Sequence, residues 1–130
     1  MANKRMFSKE ITNTDRFQSL KLSAQALYFH LGVQADDDGF VGNPMSITRS
    51  IGATKSDLKL LEDAGYLIPF EKGVKVITDW RINNCLRSDR YVPTVYQSFY
   101  TQLRFDENGR YTKWQPAGIP MVATDKNSIG

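Results

Sequence analysis

The alternation of apolar and polar positions divides the chain into a series of short elements. "SAQALYFHLGVQA", from Ser23 to Ala35, carries two apolar stripes at helical spacing: Leu20, Ala24, Leu27 and Leu31, and Leu22, Ala26, Phe29 and Val33. Only Ser23, His30 and Gln34 form a narrow polar stripe. A helix apolar on most of its circumference belongs at the centre of a fold, and Ser23 is its expected N-cap. A short helix precedes it around Asn13–Leu20, where Thr12, Asn13 or Thr14 can cap and Phe17 and Leu20 stand at i and i+3.

"DDDG", from Asp36 to Gly39, ends the central helix, because aspartates bond their own backbone and Gly39 accepts a positive φ. "GFVG" is long enough for one short strand. Asn43-Pro44 opens the next helix, with Ile47 and Ile51 on one face and Gly52 as its stop. Thr54 begins "TKSD", a capping-box pattern with Asp57 in place of the usual Glu. That helix runs to Gly65 with Leu58, Leu61 and Ala64 facing inward. "YLIPF", Glu71-Lys72-Gly73 and "VKVIT" read as a β-hairpin. Its first strand is an edge or bulged strand, since Pro69 cannot donate to a ladder.

Helix, short strand, helix, tight turn, helix and hairpin is the element order of a winged helix-turn-helix domain. After Trp80, "PTVYQSFYTQL" puts Pro93 at a helix start and Tyr96, Phe99, Tyr100 and Leu103 on one face. Asn108-Gly109 in "RFDENGRYTKW" signals a second hairpin. The expected fold is α+β and mainly helical: a winged helix-turn-helix domain over 1–80, a helical and hairpin extension over 81–114, and a linker or extended tail over 115–130.

Composition narrows the function classes. The chain has 130 residues, 41% of them hydrophobic, which suits one core. A net charge of +3 tolerates a polyanionic partner. Cys85 is the only cysteine, which excludes an intrachain disulfide and a cysteine-based metal site. No apolar run approaches the roughly 20 residues of a membrane span, and "MANKRMFSKE" has no signal-peptide core. The expectation is a cytoplasmic protein that does not contact a membrane. His30 is the only histidine, and there is no G-x-S-x-G elbow, P-loop or G-x-G-x-x-G. No enzyme activity and no cofactor are expected.

Asp36, Asp37 and Asp38 are consecutive, so their carboxylates fan outward. A calcium loop needs ligands at alternate positions, and a two-metal site needs them on separate rigid elements. The expected role is a turn, with no metal and with three charges that repel phosphates.

The basic residues suggest another chemistry. In a helix-turn-helix the second helix enters the major groove. Here that helix presents Lys55, Ser56 and Lys59 outward, followed by acidic Glu62 and Asp63. Arg49 on the preceding helix, and Lys72 and Lys75 in the wing, are expected to add phosphate contacts. A second run, "DWRINNCLRSDRY", interleaves Arg81, Arg87 and Arg90 with Asn83, Asn84 and Tyr91. Arg and Asn are the residue types that read guanine and adenine edges. "MANKRMFSK" has the character of a basic arm for a minor groove.

Several stretches resemble a known group. "MANKRMFSKEI", "SAQALYFHLGVQADDDGFVGNP", "IGATKSDLKLLEDAGYLIPFEKGVKVITDWRINN" and "RYVPTVYQ" are similar to the N-terminal region of phage replisome-organiser and DnaD-like replication initiation proteins. The resemblance covers most of residues 1–100. It implies a winged-helix module that binds origin double-stranded DNA, self-associates as a homo-oligomer, or both. It also implies a C-terminal region, absent here, that contacts a helicase or helicase loader. A winged-helix transcription regulator and a protein-interaction module without DNA binding are the rival readings, since fold does not fix function.

Overall fold

The computed structural model describes residues 4–84 and 90–114. Cys85 and Arg87, and the sequence from residue 115 onward, lie outside the described residues. The chain forms an α+β fold with small antiparallel sheets. Two one-turn helices, α1 (Lys9–Thr12) and α2 (Asp15–Gln18), lead into the long α3 (Leu22–Gln34). Strand β1 (Phe40–Val41), α4 (Pro44–Ser50), α5 (Lys55–Asp63), β2 (Leu67–Pro69) and β3 (Lys75–Ile77) follow. The chain continues through α6 (Trp80–Asn83), α7 (Gln97–Tyr100), β4 (Leu103–Phe105) and β5 (Tyr111–Lys113). Among the described residues no helix is long and apolar enough to cross a membrane.

Helix α3 packs against α4 and α5, and its Ala24, Leu27, Tyr28 and Leu31 are fully buried. Its second apolar stripe is not buried: Leu22 is 81% and Val33 54% exposed. The expectation of a helix enclosed on most sides is therefore corrected, since α4 and α5 cover one flank only. Phe29 is the exception on that stripe, half-buried edge-on against Phe7 and Phe17. Phe17, Tyr28 and Tyr66 form an edge-to-face cluster with centroids 5.2–5.8 Å apart, each such pair adding about 0.5–1.5 kcal/mol beyond its buried area.

The expected short early helix forms as α2, with Thr14 as its cap: the hydroxyl accepts from Phe17 N. Ser23 does not cap α3; Lys21 stands at that position without a side-chain bond. The Ser23 hydroxyl instead donates to Asp57 Oδ1 at 2.8 Å. Asp57 closes the expected capping box of α5: Thr54 Oγ1 accepts from Asp57 N, and Asp57 Oδ2 accepts from Thr54 N at 3.0 Å. One buried carboxylate thus ties the starts of α3 and α5 together.

The first sheet has the order β1-β3-β2, with β3 central. Phe40 and Ile68 both pair with Val76 from opposite sides. Pro69 sits at the end of edge strand β2, as its missing N–H requires. A 3₁₀ turn, Glu71–Gly73, joins β2 to β3.

The segment after Trp80 joins the same core. Leu103 and Tyr111 are buried with the α3 residues, and Tyr111 N donates to Thr78 O at 2.9 Å. Helix α7 spans only Gln97–Tyr100, not the expected run from Pro93. The reason is that residues 91–94 spend their donors elsewhere, as described below. The second hairpin forms where Asn108-Gly109 signals it, with Arg104 opposite Thr112 and Gly109 at φ 83°.

Candidate nucleic-acid interface

A groove of about 550 Å³ runs between α4, α5 and the β2–β3 loop. Lys55, Ser56 and Lys59 line it and are exposed. The capping box starts α5 at Lys55, so Lys55 and Lys59 lie one turn apart on the same face. Lys59 Nζ is 3.1 Å from Asp63, and both side chains are more than 60% exposed. The Asp63 hydrogen bond and charge raise the Lys59 pKa, which keeps it cationic. So exposed a pair contributes little to stability, and its lysine can exchange Asp63 for another anion.

Lys72 is exposed in the β2–β3 turn with φ 61°, the one described non-glycine residue in the left-handed region. Arg49 is exposed near the end of α4. Lys75 corrects the sequence-based expectation of a phosphate contact. It points inward from central strand β3, its side chain 11% exposed, and forms an ion pair with Glu62 of α5. The pair withdraws one expected phosphate contact and one acidic residue of α5 together.

The second basic run is elsewhere. Arg81 is exposed on α6, its guanidinium 4.6 Å from the Phe105 ring. It shares a pocket with Asn84 and Tyr91, apart from the α5 groove. Arg90 is exposed, and Arg87 lies outside the described residues. Asn83 and Asn84 are buried, accepting from Ser8 N and Met6 N at 2.8 Å. They anchor the N-terminal arm and do not present base-reading amides on an open surface. Arg5 of that arm is also engaged, bonded to Asp37 at 3.0 Å.

The aspartates do form a turn: Asp36 Oδ1 accepts from Asp38 N and Phe40 N, both at 3.0 Å. Gly39 takes φ 89°, and a Cβ there would stand 2.6 Å from Trp80. The expected repulsive corner is not found, because Asp37 and Asp38 are 3% and 5% exposed. Asp38 accepts from Tyr91 OH at 2.7 and 2.8 Å and from Thr94 N at 2.8 Å. Asp37 accepts from Val92 N at 2.9 Å, and Asp36 from Thr94 Oγ1 at 2.5 Å. Burial pushes the Asp36 carboxyl up, against the lowering effect of these bonds. The triad is the anchor of the 91–94 strap. Its donors lie more than 50 residues away along the chain, beyond the reach of local pattern reading.

His30 is exposed. Among the described residues no group of three or more His, Cys, Asp or Glu side chains is placed to hold a metal ion. Sequence reasoning passes over the cations stacked on aromatics in the second hairpin, Arg104 on Trp114 and Lys113 on Phe70. Lys113 and Trp114 are signalled only by the alternation of basic and aromatic residues in "RYTKW", and Arg104 lies outside that run. Comparisons with family models, curated proteins and solved structures give no match to this chain.

Proposed function

We propose that the chain is a winged-helix module that binds double-stranded DNA. In this reading α4 and α5 are the helix-turn-helix, α5 is the recognition helix, and the β2–β3 hairpin is the wing, with β1 as the third strand. The observation that carries the proposal is the α5 groove, where Lys55, Ser56 and Lys59 open to solvent beside the turn that holds Lys72. The Glu62–Lys75 pair removes one acidic charge from that surface. Phosphate contacts from Arg49 and Lys72 would fix the register, and the α5 side chains would meet base edges. The resemblance to phage replisome organisers extends the proposal to replication-origin DNA of a phage or prophage. Homo-oligomerisation and helicase or loader contact through a further C-terminal region belong to the same reading. It assigns no catalytic residue. A transcription regulator would use the same groove at a promoter. The exposed Leu22, Val33 and Val95 favour the rival interaction module.

The test is a gel-shift titration with duplexes from the source genome at two salt concentrations. Lys55→Ala with Lys59→Ala is expected to weaken binding more than Arg81→Ala with Arg90→Ala. Removing one phosphate-binding cation reduces the salt slope by about one. Salt-independent association, or dependence on the arginine pair alone, would remove α5 as the recognition helix.

A further inference from the structure

A second surface carries a different chemistry. Between the β2–β3 turn and the base of the β4–β5 hairpin lies a cleft of about 350 Å³, lined by Pro69, Phe70, Glu71, Phe99, Gln102 and Lys113. Phe70 and Phe99 are stacked, centroids 4.8 Å apart at 23°. Lys113 Nζ lies 4.4 Å from the Phe70 ring centre, and burial lowers its pKa against the opposing effect of Glu71. Trp114 follows and, by strand alternation, turns to the opposite side of the hairpin; its backbone N–H donates to Gln102 O at 2.6 Å and the residue is 48% exposed. The Arg104 guanidinium sits 4.7 Å from the Trp114 ring. Arg104 Nη1 donates to Thr101 O at 2.9 Å and Leu103 O at 2.7 Å, so the group is held in place. Among the described residues Arg104 has no carboxylate partner.

We infer that the outer face of the β4–β5 hairpin, where Arg104 lies against Trp114 on the side opposite the Lys113 cleft, is a second nucleic-acid site, built for an unpaired strand. A guanidinium fixed against the exposed Trp114 ring matches the two parts of a single strand, its phosphates and its unstacked bases. A duplex hides the base faces inside its own stack, so Trp114 has nothing to stack on there. Gln102 and Thr112 beside them are neutral, and Glu71 is the one carboxylate lining the cleft. The single-strand site itself does not depend on the α5 reading.

The experiment uses the full chain and oligothymidylate. The sequence has two tryptophans, Trp80 at 5% exposure and Trp114 at 48%, so emission quenching on titration reports Trp114. Oligothymidylate is expected to quench the emission. Variant affinities are read from the anisotropy of end-labelled oligothymidylate, since substitution of Trp114 removes the emission signal; Trp114→Ala and Arg104→Ala should each weaken binding about 10-fold, the loss of one stacked base. Trp114→Phe, which keeps a π-face and the fold, should retain most of the affinity. Duplex binding measured on the same preparations should be unchanged, while Lys55→Ala with Lys59→Ala should show the reverse pattern. Absence of quenching, or single-strand affinity unaffected by both Trp114→Ala and Arg104→Ala, overturns the inference. So does a Trp114→Ala effect confined to the sedimentation of the free chain, which reassigns the face to a protein partner. None of these outcomes bears on duplex binding through α5.

Discussion

Lys72 occupies a backbone region that costs an L-residue roughly 1–2 kcal/mol and costs glycine almost nothing. Its neighbour Gly73 also has positive φ, at 76°. A glycine at both positions would be the relaxed solution, so the lysine costs stability here. If Lys72 meets phosphate from the proposed wing, Lys72→Gly separates the two properties. The variant is expected to melt at a higher temperature, by about 0.5–1 kcal/mol after the entropic cost of glycine in the unfolded chain. Its duplex affinity should fall, with a smaller salt slope. A thermal melt and a gel shift on one preparation decide it; unchanged affinity would make Lys72 a turn residue only.

At the scale of elements, Asp57 joins two helices that the sequence pattern treats separately. Burial raises its carboxyl pKa, but Thr54 N–H, the Ser23 and Thr54 hydroxyls and Lys21 outweigh it, and the net shift is downward. A depressed carboxylate contributes stability that is present above the ordinary value of 3.8 and is lost as pH falls through the lower folded value. Asp57→Ala is therefore expected to cost about 1–2 kcal/mol at neutral pH, in the range of a lost cap. The gap between variant and parent should narrow as pH falls below 3.8, read from urea midpoints at neutral and at acid pH. The α5 cap is legible in the sequence because its partners are three residues apart. The role of Ser23 is not, because its acceptor lies 34 residues away. The same limit explains α7: periodicity from Tyr96 to Leu103 is helical, yet Leu103 is drawn into β4 by its pairing with Lys113. In the α5 groove Lys55, Ser56 and Lys59 are legible from helical phase, but the inward turn of Lys75 depends on β3 becoming the central strand.

Across the whole molecule, residues 90–114 complete the core begun by the first 80, and the acidic triad is the seam between them. Its four donor groups lie 53–58 positions from their acceptors. Such a junction has a kinetic signature. Contacts of long sequence separation close large loops, and they tend to form only after local helices and hairpins have reduced the entropy still to be given up. The strap should dock after the rate-limiting step of folding and leave first on unfolding. Tyr91→Phe, which removes the phenol from Asp38 at a partly exposed position, tests this order. Stability should fall by about 1 kcal/mol, nearly all of it as an unfolding rate about fivefold faster, with the refolding arm of the chevron unmoved. A slower refolding arm would place the strap in the nucleus. On the expected outcome, the three aspartates set how long the native state persists and not how quickly it is reached.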